Sequence, residues 1–403
     1  MDRFTDGARG RRSRRPIAAV AGAAATAVTL AAIAGPVAAA PKKKPKPKPA
    51  PTPKPALVVT DATAPVATLV HPTTGALLGR FALDAPGLAY STGTSRYAVI
   101  AQGGADRTVV VDAASQVPTL LARSISGDTP VHVVSHDGML AIFHDGDGSV
   151  VLVPEKNLGT KPLGATRIRA ARPHHGVAVP LAGHVVISVP DAADPSASLP
   201  TGVEVRNRAG AVVESVDDCP QLHGEGSVGD VVAFGCADGV IVVEAHGDHW
   251  HTAKLVEPAE ADPAARVGTL RTAEGLDYMV GNFGPTGLVR VDPEAAALAP
   301  MSIGGTVRSF ALHRAAGGTA LVLTTDGRIR AVDARTGVET AAVSVVPEFG
   351  TTGTRPTMTL LGDAAFVADP RDGTVTRVAV AGLKVSAPFR VGGAPTSVAL
   401  AVG

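Results

Sequence analysis

From Ala56 onward the apolar positions do not recur at the three-to-four-residue spacing of an amphipathic helix; they fall in short β-branched runs that mostly follow a Gly or Asp-Gly turn. Examples are "RTVVVDAA" from Arg107, "GSVVLVPE" from Gly148, "GVIVVEA" from Gly239, "GLVRVDPE" from Gly287, "GRIRAVDARTG" from Gly327 and "GTVTRVAV" from Gly373. Each is preceded by another apolar run, such as "MLAIF", "HVVIS", "VVAFG", "TALVL" or "AAFVA". A third run lies upstream of that, starting near residues 86, 130, 174, 221, 268, 308, 357 and 396, at intervals of 44, 44, 47, 47, 40, 49 and 39 residues. A repeat of this length carrying about four strands is the unit of a β-propeller blade. The pattern therefore predicts an all-β chain folded as a single β-propeller of eight blades, with seven as the alternative if the irregular stretch 190–218 misleads the count. "APTSVALA" from Ala394 has no room for partners before Gly403, whereas "ALVVTDA", "PVATLVHP" and "ALLGRFAL" lack a first strand. Pairing the C-terminal strand with the N-terminal ones closes the ring and leaves no sheet incomplete.

Composition agrees with many tight turns and a core of Val, Ala and Leu: the 403 residues include 45 Gly and 32 Pro but only nine Phe, three Tyr and one Trp. The formal charge of +1, from 37 basic and 36 acidic residues, supplies no global field for nucleic acid or acidic lipid. With so few aromatics for base stacking, nucleic-acid partners are excluded. Ahead of the propeller, Arg11, Arg12, Arg14 and Arg15 precede an apolar run from Ile17 to Ala34 that ends in "GPVAAAP". These are the basic, apolar and small-residue regions of a signal peptide, residues 1–39, with cleavage after Ala39. The uncharged stretch Ile17 to Ala40 would alternatively serve as a membrane anchor. Residues 40–56 alternate Pro and Lys and are expected to form an extended, solvated stalk that tethers the protein near a membrane or cell wall. The domain is then 57–403, extracytoplasmic and monomeric. Cys219 and Cys236 are the only cysteines, and an even pair in an exported chain argues for a disulfide, here one joining the two ends of an antiparallel hairpin in the fourth blade.

First strands of a propeller line its channel and start on one face. Their starts read "PVHVVSH" with His132, "PHHGVAV" with His174 and His175, and "PQLHGEG" with His223, which places imidazoles from three consecutive blades at one channel mouth. Such a set suits a first-row divalent ion, zinc above all. In the turn "FHDGDG", Asp145 or Asp147 would supply an oxygen ligand and His144 is a further candidate; Glu225 would orient an imidazole from behind. A second group, His246, Asp248, His249 and His251 in "EAHGDHWHTA", falls on a hairpin tip at the opposite face and reads as an accessory metal loop. No H-E-x-x-H helix, G-x-S-x-G elbow or free thiol is present, so the chain is expected not to be an enzyme. A metal-free surface scaffold is the alternative reading, and a propeller hydrolase ranks below it because the first strands offer few Asp, Glu or Asn.

The segments "RPHHGVAVPLAGHVVIS", "CPQLHGEGSVGDVVAFGCADGVIVV" and "VSHDGMLAIFHDGDGSV" resemble those of the AztD-type zinc metallochaperones over most of residues 57–403. The resemblance implies an extracytoplasmic propeller with a high-affinity Zn2+ site of histidines and a carboxylate, and direct delivery to the solute-binding protein of a zinc ABC importer. By that resemblance His174, His175 and His223 match the family's histidine motifs, and the 246–251 loop stands in for its accessory histidine-rich element.

Overall fold

The computed structural model describes residues 55–113, 117–247, 249–262 and 265–402. The expected signal and nearly all of the stalk lie outside the described residues, as does Asp248. Eight antiparallel sheets follow one another along the chain and form an eight-bladed β-propeller. Counting from the first complete sheet, the innermost strands begin at residues 88, 130, 178, 225, 270, 307, 357 and 395, each within four residues of the start read from the repeat.

Three blades carry the chemistry. Blade 2 consists of Pro130–His136, Met139–His144, Ser149–Pro154 and Thr166–Arg169. Blade 3 consists of Ala178–Leu181, His184–Pro190, Pro200–Arg206 and Val212–Val216, so the irregular 190–218 stretch is a long connection plus two outer strands. Blade 4 consists of Glu225–Val228, Val231–Cys236, Gly239–His246 and His249–Val256. Blade 8 is the closing one: Pro395–Ala401 pairs antiparallel with Ala56–Asp61 in the register Ala56↔Ala401 to Asp61↔Pro395.

The burial pattern explains why the repeat is so visible. A blade is sandwiched between its neighbours, so its middle strands are covered on both faces; Tyr97–Gln102 and Ala364–Asp369 are buried at every position. Outer strands reach the rim and alternate, as Leu77–Ala82 and Thr119–Ser126 do. Between blades 3 and 4, Leu181, Val186, Val203 and Val205 pack on Leu222, Phe234, Ile241 and Val243. Fully burying each such side chain contributes about 1.5–3 kcal/mol.

Cys219 and Cys236 sit in this same layer, both fully buried and disulfide-bonded across 17 residues. The closed loop contains the turn bearing His223, so the bond restrains that turn as well as the blade. By loop entropy a loop of this size is worth about 3 kcal/mol. Replacing both cysteines by serine is expected to lower the thermal midpoint by several degrees and to weaken metal binding, measured by calorimetry and metal titration. An unchanged midpoint would show that the core alone holds the turn.

Candidate metal centre

The three imidazoles come together at the mouth of the channel. His132 Nε2 lies 3.3 Å from His175 Nε2, which lies 3.3 Å from His223 Nε2. One nitrogen from each ring falls within a group no more than 4.8 Å across, the one set of three such groups among the described residues. Each ring reaches this point by its own local device. His132 occupies an irregular step in its strand, where the pairing advances from Pro130↔His144 to Val133↔Ile142, and such a bulge re-aims a side chain. The peptide before it is held by the Tyr90 hydroxyl, which donates to the Val131 carbonyl at 2.6 Å. Burial pushes the Tyr90 phenol up, with the Glu225 and Asp145 charges acting in the same direction, so it stays a neutral donor. His223 precedes Gly224, whose φ of +78° and approach to the Gly268 carbonyl leave no room for a Cβ, which would stand 2.6 Å from that oxygen.

The second nitrogens fix how the first ones point. His175 Nδ1 lies 2.6 Å from Asp145 Oδ2 and His223 Nδ1 lies 2.6 Å from the Gly268 carbonyl, so both donate there and turn the Nε2 lone pairs toward each other. Lone pairs at that separation repel unless a proton or a cation lies between them. Zinc–imidazole bonds of about 2.0–2.1 Å at tetrahedral angles would put donor nitrogens roughly 3.3–3.4 Å apart, close to the spacing of His175 from each of the other two rings. In the metal-free protein the Asp145 carboxylate raises the His175 pKa above the ordinary imidazole value of 6.5, which favours a proton on that ring. Burial lowers that of His132, keeping it neutral.

The remaining candidates are placed elsewhere, each for a physical reason. His174 points into blade 3: Nδ1 donates to the Arg172 carbonyl at 3.0 Å, Nε2 accepts from the Ser188 hydroxyl at 2.8 Å, and its ring meets Phe143 edge-on at 5.0 Å. These contacts hold the His174 ring on the blade side, while the neighbouring His175 ring reaches His132 in the channel. His144 is fully buried, with Nδ1 on the Ser149 carbonyl at 3.0 Å and Gly127 packed against Nε2. Asp147 closes its own turn through the Ser149 amide at 2.9 Å and pairs with Arg169 at 3.2 Å. Asp145, expected as an oxygen ligand, stands behind His175 and does the orienting that the sequence reading gave to Glu225. The Glu225 charge instead acts on His132, Tyr90 and Arg271. Tyr90 and the Gly268 carbonyl were not foreseen; the inner-strand run "GLAYS" was the available signal for the first.

Replacing Asp145 by Asn removes the carboxylate that aligns His175. Loss of such a partner typically costs 10–100-fold in metal affinity, and that is the expected drop in a competitive zinc titration. Zinc must also displace the His175 proton, so affinity is expected to rise with pH through a transition above 6.5, and that transition should move down in Asp145→Asn. The sign for stability is the reverse. The raised pKa means the His175–Asp145 pair stabilises the metal-free fold at low pH, and this contribution is lost as pH rises through the folded value.

The hairpin group lies at the other end of the blade, because strand direction alternates and the turn between third and fourth strands is opposite the inner-strand starts. His246 pairs across with His249 and Glu244 with His251, which puts the four side chains on one face. His246 Nε2 lies 3.2 Å from Glu244 Oε2, and the His246 and His251 rings are 6.5 Å apart. Glu244 was not anticipated from the sequence.

No protein-family model matches the chain. Over 372 residues it is 26% identical to the zinc chaperone AztD of Citrobacter koseri, covering 86% of each sequence. Two crystal structures of Citrobacter koseri AztD, one of them apo, superpose with a TM-score of 0.80 at 24% identity, over 87% of this chain and 98% of that one. The dihydro-heme d1 dehydrogenase NirN shares the fold more distantly, with a TM-score of 0.62 at 13% identity over 85% of this chain and 74% of that one. Along most of its length this chain therefore resembles the zinc chaperone AztD, in sequence and in the eight-bladed fold.

Proposed function

We propose that the protein is an extracytoplasmic zinc metallochaperone: His132, His175 and His223 hold one Zn2+ at the channel mouth, and a zinc solute-binding protein of an ABC importer takes it by direct ligand exchange. The observation that carries this reading is the gathering of one imidazole nitrogen from each of three blades within 4.8 Å of one another. The sequence likeness to a protein named as a zinc chaperone supports it. Three imidazoles leave one position of a tetrahedral ion open, where an incoming ligand of the acceptor can bind before the histidines depart. Exchange in contact avoids releasing the ion to water first, which would forfeit about 10 kcal/mol or more. The sequence likeness to a protein named as a zinc chaperone is what favours carriage over catalysis at this site.

Glu244, His246, His249 and His251 serve, in this reading, as an outer capture patch that raises the rate of loading without setting the affinity. Export directed by residues 1–39, with the Pro/Lys segment as a stalk and the propeller starting at Ala56, where the first strand begins, accords with the disulfide, which belongs to oxidising compartments. The test is transfer itself. Zinc-loaded protein mixed with a metal-free zinc solute-binding protein, in an excess of chelator, should pass the metal on faster than it loses it to chelator alone. Transfer no faster than that loss would rule out exchange in contact, and a triple His132, His175 and His223 alanine variant that still carried zinc would rule out the site.

A further inference from the structure

At the face opposite the channel histidines, a cavity of about 570 Å³ opens between blades 2 and 3. Its size is that of a small-molecule site, about 300–1,000 Å³. Met139, Leu152 and Val185 contribute apolar wall. Lys156 and Arg208 stand at its edge, exposed, and neither has an ion-pair or hydrogen-bond partner among the described residues. The third cation is already spent: Arg206 is bound to Glu204 at 2.6 and 3.0 Å and to the Arg169 carbonyl at 2.7 Å. The one carboxylate of the lining, Asp137, accepts from the Gly183 amide at 3.3 Å. The cavity thus offers an apolar wall and two cations without an ion-pair partner among the described residues, which outnumber the one carboxylate of the lining.

We propose that this cavity binds a small organic anion with an apolar body, the body against Met139, Leu152 and Val185 and the anionic group between Lys156 and Arg208. Charge alone or apolar area alone satisfies only half of the lining, so the amphiphilic anion is the class that fits. This inference is independent of the zinc reading, because no channel histidine lines the cavity.

The molecule carries its own reporter. Trp250 is the single tryptophan of the chain, and it meets edge-on, at 5.1 Å, the ring of His184, which lines the cavity. Titration of the metal-free protein with decanoate, decanol and acetate, followed by Trp250 emission and by calorimetry, separates the contributions of charge and apolar body. Saturable binding of decanoate at one site is expected, at least tenfold tighter than decanol, with no binding of acetate. In Lys156→Glu/Arg208→Glu, whose changes are at exposed positions, decanoate should weaken tenfold or more while decanol and zinc affinities hold. Absence of saturable decanoate binding, equal affinity for decanol, or full decanoate affinity in the double variant would each overturn the proposal.

Discussion

Replacing any one of His132, His175 or His223 by alanine is expected to weaken zinc binding by about 10²- to 10³-fold. The estimate divides the roughly 10–16 kcal/mol of a protein zinc site among about four ligands, at about 1.4 kcal/mol per factor of ten. The companion variant His174→Ala should leave affinity nearly unchanged, although it removes the neighbour of a ligand. Its effect is on stability: the Ser188 hydroxyl and the Arg172 carbonyl lose their buried partner, at a cost of about 2–4 kcal/mol. Zinc titration and calorimetry on the same four variants check both halves. If His174→Ala lost zinc as severely as His175→Ala, the assignment of the channel-facing ring would be wrong.

The second large effect concerns closure of the ring. Deleting residues 395–403 removes the innermost strand of blade 8 and uncovers Leu57 and Val58, both fully buried. The strand also contributes Val398, Ala399 and Ala401 to the core. Six register partners and this apolar area together amount to roughly 5–10 kcal/mol, comparable to the whole net stability of a domain. The truncated protein should therefore fail to fold cooperatively. Ala401 lies opposite Ala56, so moving residues 395–401 ahead of Ala56 through a short hairpin linker should restore a melting transition near that of the parent. Persistence of the native transition in the deletion would mean the closing strand is dispensable.

Both predictions rest on features that differ in how far the sequence reveals them. Ring closure was readable because an unpartnered strand at one end and three strands lacking a first at the other complete each other. The blade repeat was readable because strands such as Tyr97–Gln102 are buried on both faces and must be apolar throughout. Disulfide pairing followed from the hairpin that joins the two cysteines. Histidines near the starts of consecutive inner strands were also visible, and the structure brings three of them together.

Which ring of His174-His175 enters the channel was not visible, since both belong to one motif and the answer depends on Phe143 and Ser188 filling the other side. Nor was the role of Asp145. A carboxylate near histidines can bind an ion or orient a ring, and the 2.6 Å contact with His175 Nδ1 puts it behind the ring. Tyr90 and Gly268 act across separations of 41 and 45 residues, one blade away in each case.

The sequence by itself determined the eight-fold repeat, its closure and the set of imidazoles available at one end of the channel, because burial and strand direction impose periodic patterns that a linear chain displays. Tertiary structure alone decided which nitrogens face one another, which carboxylate stands behind them and where a charged cavity opens between blades. Those depend on side-chain direction and on contacts between neighbouring blades, to within fractions of an ångström, and no periodicity along the chain encodes them.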